Sequence, residues 1–242
     1  MTVSLGDIIF NTDDLDDDGV LWYCRVDGWD KLDQRTTALS PPAQHGQRTA
    51  ENLYSARSMT MFGTAVSEDL TGYWAALNHL QATTDVLTVF TDPPLILTME
   101  EEVDKQMAVL RTGLFSKRTD STVLTFELTL SADDPFKYAA VLKTLNTSGV
   151  AVNAGTKRTF PVFTQTGASA ALTLTNGANT WSSAPLPVGT VIDFNDLSVT
   201  GPLDTNYFGL VVPSSTWFPL ATGNNTLSAT VAGTWSWRDA WL

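Results

Sequence analysis

Residues 124–130 read Leu-Thr-Phe-Glu-Leu-Thr-Leu, a strict alternation of apolar and polar side chains. Successive side chains of a β-strand point to opposite faces, so this pattern predicts a strand with one buried face. Residues 95–100, Leu-Ile-Leu-Thr-Met-Glu, alternate similarly, and we expect the two segments to form a long hairpin. Residues 111–121 would then be its exposed connection. Projecting arms of this kind commonly mediate contacts between subunits.

Further strands are predicted on the N-terminal side of this hairpin. Leu5 to Phe10 and Val20 to Val26 are apolar runs bounded by turn residues, and Asn52 to Val66 has an extended pattern. Val86 to Phe90 is a fourth candidate strand. The first part of the chain is therefore predicted to be mostly β.

One helix is predicted between these strands. Ser67 is a possible N-cap, and Glu68 and Asp69 suit the positive end of a helix dipole. The following apolar residues recur at helical spacing: Leu70, Tyr73, Trp74, Leu77 and Leu80. The pattern predicts a helix that packs this stripe into the core and ends near residues 82–84.

The pattern changes after Asp133-Asp134-Pro135, and short alternating bursts separated by glycines follow. Strands are predicted at residues 172–174, 191–194, 208–212, 227–231 and 235–241. Residues 137–145 fit either a helix or a strand, and residues 144–158, without a clear strand, suggest a linker or an extra arm. The fold predicted is mostly β: a β-barrel or sheet domain with one packed helix at 1–138, then an antiparallel β-sandwich at 139–242.

Charge divides the chain at the same place. Residues 1–138 carry 10 Lys and Arg against 22 Asp and Glu, a net charge of −12, whereas residues 139–242 carry 4 of each. A strongly acidic surface repels phosphate, so DNA is not expected to bind tightly. A channel through which DNA slides would profit from this repulsion, although acidity for solubility explains the charge equally well.

The sequence predicts no membrane insertion, because no run approaches the roughly 18 apolar residues that a spanning helix needs. Met1 to Phe10 lacks a basic segment followed by an apolar run, so no signal peptide is predicted. The single cysteine, Cys24, fits a chain made in a reducing cytoplasm, and we expect it to pack as a small hydrophobic side chain.

The acidic segment at residues 14–19, Asp-Leu-Asp-Asp-Asp-Gly, matches the opening of a calcium loop. The twelfth position of such a loop should be a bidentate Glu, but Arg25 occupies it. Strands rather than helices are predicted on both sides. An acidic hairpin turn is therefore the preferred interpretation, and a bound cation is the alternative.

No catalytic, cofactor-binding or metal-binding residue is predicted. His45 and His79 are the two histidines, and neither has Asp, Glu or Cys at metal-ligand spacing. A Ser-His-Asp triad has parts that are adjacent only in space, but the sequence lacks a G-x-S-x-G elbow. Glycosidases need two carboxylates. The second half offers few: Asp193, Asp196, Asp204 and Asp239.

Tryptophan suggests one binding role. Five of the eight tryptophans lie in the second half: Trp181, Trp217, Trp235, Trp237 and Trp241. Exposed aromatic rings stack on sugars, so a carbohydrate-binding surface is one hypothesis. The favoured alternative is that Trp235, Trp237 and Trp241, which share strand parity, face a core or an interface.

Several segments, in their order along the chain, resemble the distal tail proteins of long-tailed phages. In the first half these are Gly28-Trp29, Leu32-Asp33-Gln34-Arg35, Pro41-Pro42, His45-Gly46, Arg57, Gly63, the strand ending at Leu130, and residues 134–138, Asp-Pro-Phe-Lys-Tyr. In the second half they are Phe160-Pro161, residues 172–176, residues 186–189 with 191–193, residues 217–220, residues 223–227, and residues 237–241, Trp-Arg-Asp-Ala-Trp. The resemblance covers nearly the whole chain.

The resemblance implies a ring-forming belt domain, six-fold in the family, and a galectin-like C-terminal sandwich that projects outward. It implies a non-enzymatic virion protein that is assembled in the host bacterial cytoplasm and joins the tail tube to tip, baseplate or fibre proteins. The tape-measure protein and DNA would pass through the ring. The alternative function is host adhesion, with the sandwich binding cell-wall carbohydrate.

Overall fold

A computed structural model describes residues 1–31, 55–85 and 95–242, together with the backbone of residues 34–39 and 48–54. Predictions that concern Leu32-Asp33, Pro41-Pro42, His45-Gly46 and the strand at 86–90 lie outside the described residues. The chain divides into two compact units, Met1–Lys137 with Leu242, and Tyr138–Trp241. That the two units are separate domains with separate roles stays a prediction.

The first unit is mostly β, with one helix, as predicted. Its strands are β1 (Val3–Leu5), β2 (Ile8–Phe10), β3 (Val20–Asp27), β4 (Gln34–Leu39), β5 (Arg48–Tyr54), β6 (Arg57–Ser67), β7 (Leu95–Met99), β8 (Lys105–Arg118) and β9 (Val123–Ala132), and its helix α1 (Leu70–Thr84) lies between β6 and β7. Strands β4 and β5 pair with each other as a separate two-stranded sheet.

The other strands of this unit form a nearly closed antiparallel barrel in the order β2-β1-β7-β8-β9-β6-β3. Asn11 joins the two ends of this order, since its backbone N–H donates to Trp22 O at 2.8 Å. Its side chain also bonds Cys24, accepting from the Cys24 N–H at 2.8 Å and donating to Cys24 O at 3.1 Å. The Asn11 side chain thereby connects β2 to β3 in place of a ladder of backbone hydrogen bonds.

The alternation at 124–130 gives the predicted strand, but its expected partner was wrong. Strand β7 pairs with β1 and with Lys105–Val109 of β8, whereas β9 pairs with β6 and with Leu110–Arg118 of β8. Residues 111–118, predicted to be an exposed connection, therefore form the second half of a strand. Their polar residues obscure the alternation, because this half of β8 is only partly buried.

The barrel is filled by the inward residues of each strand, including Trp22, Met61, Phe126 and Leu128. The helix contributes Tyr73, Ala76 and Leu80 to this core. The prediction that the whole apolar stripe of the helix packs into the core was only partly right, because Leu70 and Trp74 are 44% and 51% exposed. The expected cap was wrong as well, since Asp69 is the N-cap and accepts from the Gly72 N–H at 2.8 Å. Among the described residues, no helix is long and apolar enough to cross a membrane.

The second unit is an antiparallel sandwich. Its strands are β11 (Lys143–Asn146), β12 (Gly149–Asn153), β13 (Val162–Gln165), β14 (Ala170–Asn176), β15 (Asn179–Leu186), β16 (Val191–Asp193), β17 (Ser198–Thr200), β18 (Gly223–Ala229), β19 (Gly233–Trp237) and β20 (Ala240–Trp241), after β10 (Lys137–Ala139) at its start. One sheet has the order β11-β19-β13-β16-β17 and the other β12-β18-β14-β15. Side chains of both sheets share one core, built around Phe163, Leu174, Trp181 and Trp235.

Two predictions for this unit were wrong. Residues 208–212 do not form a strand, because the Asn206 side chain accepts from the Phe208 N–H at 2.8 Å and the chain turns in a short 3-10 helix, Phe208–Leu210. Residues 144–158 are not a linker, since they contain β11 and β12. Only Leu145, Ala151 and Asn153 on these strands face inward, which leaves too few apolar residues for a visible alternation.

Candidate functional site

Arg57 is a buried cation where the β4–β5 hairpin meets the barrel. Its side chain is 2% exposed. The guanidinium donates to Trp29 O, which precedes the hairpin, and to Pro135 O at 2.7 and 3.2 Å. Buried charges are stable only when their donors are satisfied, and backbone carbonyl oxygens satisfy this one. Arg57 thus fixes both ends of the hairpin to the segment that leaves the first unit.

Further charges surround this guanidinium. Trp29 Nε1 donates to Glu101 Oε1 at 2.7 Å, and Lys105 pairs with the other oxygen of that carboxylate. Lys137 pairs with Asp30, and its ammonium lies 5.0 Å from the centre of the Trp29 ring. Burial raises the pKa of Glu101, but the bonds from Lys105 and Trp29 and the charge of Lys137 lower it below its usual value overall.

The cluster brings together segments that carried the resemblance. Gly28-Trp29, Arg57 and residues 134–137 meet here although they are distant in sequence. Gly28 has a φ of +91°, and a Cβ at this position would lie 2.6 Å from Ser58 O. Only glycine fits this close approach, which explains why a glycine precedes Trp29. The contacts of this cluster position the segments relative to one another.

The acidic segment before β3 is a turn, as preferred above. Asp16 Oδ1 accepts from the backbone N–H groups of Asp18 and Val20 at 3.0 and 2.8 Å, and Asp16 Oδ2 accepts from Trp22 Nε1 at 2.7 Å. Its carboxylate is thereby engaged in holding the turn. Among the described residues, no group of three or more His, Cys, Asp or Glu could hold a metal ion.

His79 has two acidic neighbours that sequence spacing could not reveal. Its Nε2 lies 3.1 Å from Asp7 Oδ2, and its Nδ1 lies 3.9 Å from Asp16 Oδ2. Asp7 also accepts from Thr83 Oγ1 at 2.8 Å. Burial raises the pKa of Asp7, but the bonds from Thr83 and His79 lower it overall. No described serine or cysteine hydrogen-bonds His79, so this Asp–His pair does not form a triad.

A pocket of about 330 Å³ lies beside this histidine. Its lining combines apolar side chains, Ile8, Ile9, Leu15 and Trp22, with the polar residues Asp7, Thr12, Asp14, Asp16, Asp17, Asp18 and His79. Ile9 and Leu15 are each 54% exposed. The pocket is therefore an acidic depression with an apolar rim on the side of the barrel where β2 meets β3. We call it the acidic pocket.

The outer face of the four neighbouring strands β3, β6, β9 and β8 carries exposed aromatic and charged side chains. Arg25 pairs in register with Phe62, Phe62 with Glu127, and Glu127 with Phe115. The Arg25 guanidinium lies 5.3 Å from the centre of the Phe62 ring. Positive and negative charges balance on this row, and most acids of the first unit lie instead in the turns between strands.

In the sandwich, most tryptophans are core residues. Trp181, Trp235 and Trp237 are buried, which confirms the interpretation of Trp235 and Trp237 as core residues, whereas Trp241 is only half-buried. Trp217 is half-buried against Trp181 and stacks on Phe208 with a centroid separation of 6.2 Å. Phe208 is itself 49% exposed.

Of the four acids of this unit, Asp193 and Asp239 have structural partners and Asp204 is exposed. Asp193 Oδ1 accepts from the backbone N–H groups of Asn195 and Asp196 in a turn. Asp239 is buried and pairs with Lys143. Asp204 is exposed at the end of a short 3-10 helix, Pro202–Asp204, and has a φ of 56°.

Comparisons with known proteins agree with this architecture. No protein-family model and no curated protein matches the chain. Among solved structures, the chain is similar to the Dit protein of phage SPP1, at 14% identity and a TM-score of 0.71. That protein is described as a paradigm of the hub adsorption apparatus in phages that infect Gram-positive bacteria. That match covers 100% of this chain and 99% of the Dit chain.

A second similarity is to the phage P2 baseplate in its activated conformation with Ca, at 7% identity and a TM-score of 0.61, covering 98% of this chain and 97% of that one. The same baseplate with Sr matches at 8% identity and a TM-score of 0.57, covering 98% of both chains. The predicted resemblance to distal tail proteins is thus confirmed at the level of the fold: along its whole length, this chain has the fold of the SPP1 Dit hub protein.

Proposed function

We propose that the chain is a structural protein of a phage tail tip, which assembles as a ring hub between the tail tube and the tip, baseplate or fibre proteins. One observation carries the proposal. The fold of a hub protein extends over both units, with 100% of this chain and 99% of SPP1 Dit aligned. A likeness limited to one unit would fit many β proteins. A likeness over both units, in the same order, favours a hub protein.

The β4–β5 hairpin supports an assembling role. It pairs with no other described strand, and an isolated two-stranded hairpin is marginal in water. Arg57 fixes its base, so the hairpin leaves the barrel at a defined place. Pairing with another subunit would stabilise such a hairpin. Six subunits, as in the family, would close the ring.

The tape-measure protein and DNA would pass through this ring without specific binding. The first unit has a net charge near −12, which disfavours adhesion of phosphate. The place of action would be the virion, after assembly in the bacterial cytoplasm. No catalytic step belongs to the proposal.

Phage particles that lack the chain test the proposed role. We expect tails without a tip structure, which do not adsorb, and restoration of the tip when the chain is supplied in trans. Electron microscopy of the tails, with antibody against this chain, gives the measurement. Complete tips in the absence of the chain would refute the hub.

Host adhesion through carbohydrate is the second candidate, and the stacked pair Phe208 and Trp217 favours it. An exposed aromatic ring on a sandwich is a surface on which a sugar ring can stack. A glycan array with the full chain should then show saturable binding that Phe208→Ala abolishes. Binding that is equal in the wild type and in Phe208→Ala, or absent from both, would exclude this surface as a sugar-binding site.

A further inference from the structure

One aromatic surface of the sandwich is open to solvent. Phe208 is 49% exposed, and its ring lies parallel to that of Trp217, with 6.2 Å between the ring centres and 3° between the planes. Parallel rings at this separation are displaced sideways, as in other offset stacks. Because Trp217 covers one face of the Phe208 ring, the exposed half of Phe208 is the opposite face and the edge. We call Phe208 and Trp217 the aromatic step.

The aromatic step is held in place by the core of the sandwich. Trp217 packs edge-on against Trp181 and Phe194, with ring centres 5.7 and 5.4 Å away, and both of these side chains are fully buried. The backbone at Phe208 is fixed as well, since its N–H donates to Asn206 Oδ1 at 2.8 Å. A ring that is fixed in advance loses little conformational entropy when a ligand stacks on it.

Uncharged polar side chains flank the aromatic step along the chain. Asn206 precedes Phe208 by two positions, Thr216 immediately precedes Trp217, and both polar residues are exposed. The Thr216 N–H donates to Thr180 O at 2.8 Å, which fixes Thr216 beside β15. Amide and hydroxyl groups both donate and accept hydrogen bonds. A flat apolar ring with such groups beside it suits a sugar ring, which has an apolar C–H face and an edge of hydroxyl groups.

The charge of the surrounding sequence discriminates between kinds of sugar. Residues 159–192 and 205–237 contain no Asp, Glu, Lys or Arg, and no Lys or Arg lies between Arg158 and Arg238. A phosphate or carboxylate on a ligand would therefore find no opposite charge in these residues. Asp204, an exposed acid four positions before Phe208, would repel it. An uncharged sugar avoids both penalties.

The aromatic step lies on an open surface. All residues from Pro202 to Leu210 are exposed, except the half-buried Tyr207. Sites for single small molecules are usually concave and enclose most of the ligand. An open surface contacts only one side of a ligand, so a single sugar would bind weakly. A polymer presents many sugar rings, and the subunits of the proposed ring would bind it together, which raises the overall affinity.

We infer that the aromatic step binds an uncharged polysaccharide, with one sugar ring stacked on Phe208 and with hydroxyl groups bonded to Asn206 and Thr216. The inference rests on the carbohydrate role given above as the second candidate function. It adds the class of ligand and the polar side chains that would contact it. The hub role does not depend on it.

Matched polymers test the class of ligand. The probes are dextran, amylose and a galactan, each in its uncharged form and in a carboxymethylated form, and binding of the full chain is measured by biolayer interferometry. We expect the chain to bind at least one uncharged polymer, and to bind the carboxymethylated form of that polymer about tenfold more weakly or worse. Added salt should not weaken binding of the uncharged polymer, because no pair of charges is screened.

Substitutions test the residues. Phe208→Ala removes the exposed ring and should weaken binding about tenfold or more, whereas Phe208→Tyr keeps a flat ring and should stay within about threefold of the wild type. Thr216→Val removes one hydroxyl and should weaken binding about threefold or more. Phe115→Ala removes an exposed ring from the first unit and should bind like the wild type. Unfolding midpoints near that of the wild type show that each variant is folded.

The outcomes separate the ligand class, the site and the carbohydrate role. A wild-type chain that binds none of the polymers would overturn both the carbohydrate role and this inference, and it would leave the hub intact. Equal or tighter binding of the carboxymethylated forms would overturn the ligand class alone. Full binding by Phe208→Ala would overturn the site. If phage particles with Phe208→Ala also lacked their tips, the surface would be a contact with a tail protein instead.

Discussion

At the scale of single residues, Arg57 shows how a buried charge can organise a fold. Its guanidinium reaches backbone oxygens on two segments, at Trp29 and Pro135. The sequence indicated Arg57 only through the resemblance, because nothing in its neighbours predicts burial. The same limit applies to His79 and Asp7, which are 72 positions apart and meet only in the folded barrel.

Replacing Arg57 should destabilise the first unit. In Arg57→Met, the carbonyl oxygens of Trp29 and Pro135 lose their donors, and we expect the free energy of unfolding to fall by about 2–4 kcal/mol. Arg57→Lys keeps the charge but lacks the planar fork, so its loss should be intermediate. Urea unfolding followed by circular dichroism measures both. Equal stability of all three chains would show that these bonds contribute nothing.

Cys24 should make the stability of the first unit sensitive to alkali. Burial raises the pKa of its thiol from 9.0 to about 12, although a hydrogen bond with Asn11 acts in the opposite direction. Below pH 9 the thiol is protonated in both states, and its stabilising contribution is complete. As the pH rises from 9 towards about 12, only the unfolded thiol ionises, so this contribution is lost.

The pH dependence can be assigned with Cys24→Ser. Unfolding midpoints between pH 8 and pH 11 should decline more steeply in the wild type than in this variant. The folded thiol should also react slowly with a disulfide reagent at pH 8 and rapidly in denaturant. Fast reaction of the folded chain would contradict the raised pKa.

At the scale of elements, alternation and helical spacing revealed which segments are regular but not which strands pair. Residues 124–130 and 95–99 are strands with one buried face, as predicted, yet β8 lies between them. Alternation specifies the buried face of a strand, whereas its partner depends on the rest of the sheet. The residues of β8 beyond Val109 that lie opposite buried residues of β9 include the polar Arg111, Ser116 and Arg118, which explains why this half resembles a loop.

The helix start offers a test at this scale. Asp69 accepts from the Gly72 N–H, so Asp69→Ala should lower the free energy of unfolding by about 1 kcal/mol. Glu68→Ala removes a neighbouring acid without removing the cap, and its effect should stay within about 0.5 kcal/mol. Thermal unfolding of both variants gives the comparison. A larger loss in Glu68→Ala would mean that charge near the dipole matters more than the capping bond.

At the scale of the whole molecule, the sequence predicted two parts from a change in composition and charge. The structure has a separate core in each unit, one around Trp22 and Phe126, the other around Trp181 and Trp235. Composition could show this division because the polarity of the chain changes along its length. It could not show the acidic pocket, whose members become neighbours only when the barrel closes.

Separate cores should respond separately to mutation. Phe163 is buried, with its ring centre 4.8 Å from that of Trp235, and Phe163→Ala should destabilise the second unit by about 3–5 kcal/mol. Hydrogen exchange resolved by segment should show faster opening in residues 138–241 and unchanged protection in the barrel. Leu128→Ala should produce the converse pattern. Matching acceleration in both units would mean that they unfold as one.

The division into two cores also bears on how such a chain evolves. A substitution inside one core is compensated by neighbours in that core, so the two halves can accumulate changes at different rates. One half can diverge under selection while the other keeps its own packing. Lineages could exchange one half by recombination near Lys137, where the two units meet in sequence.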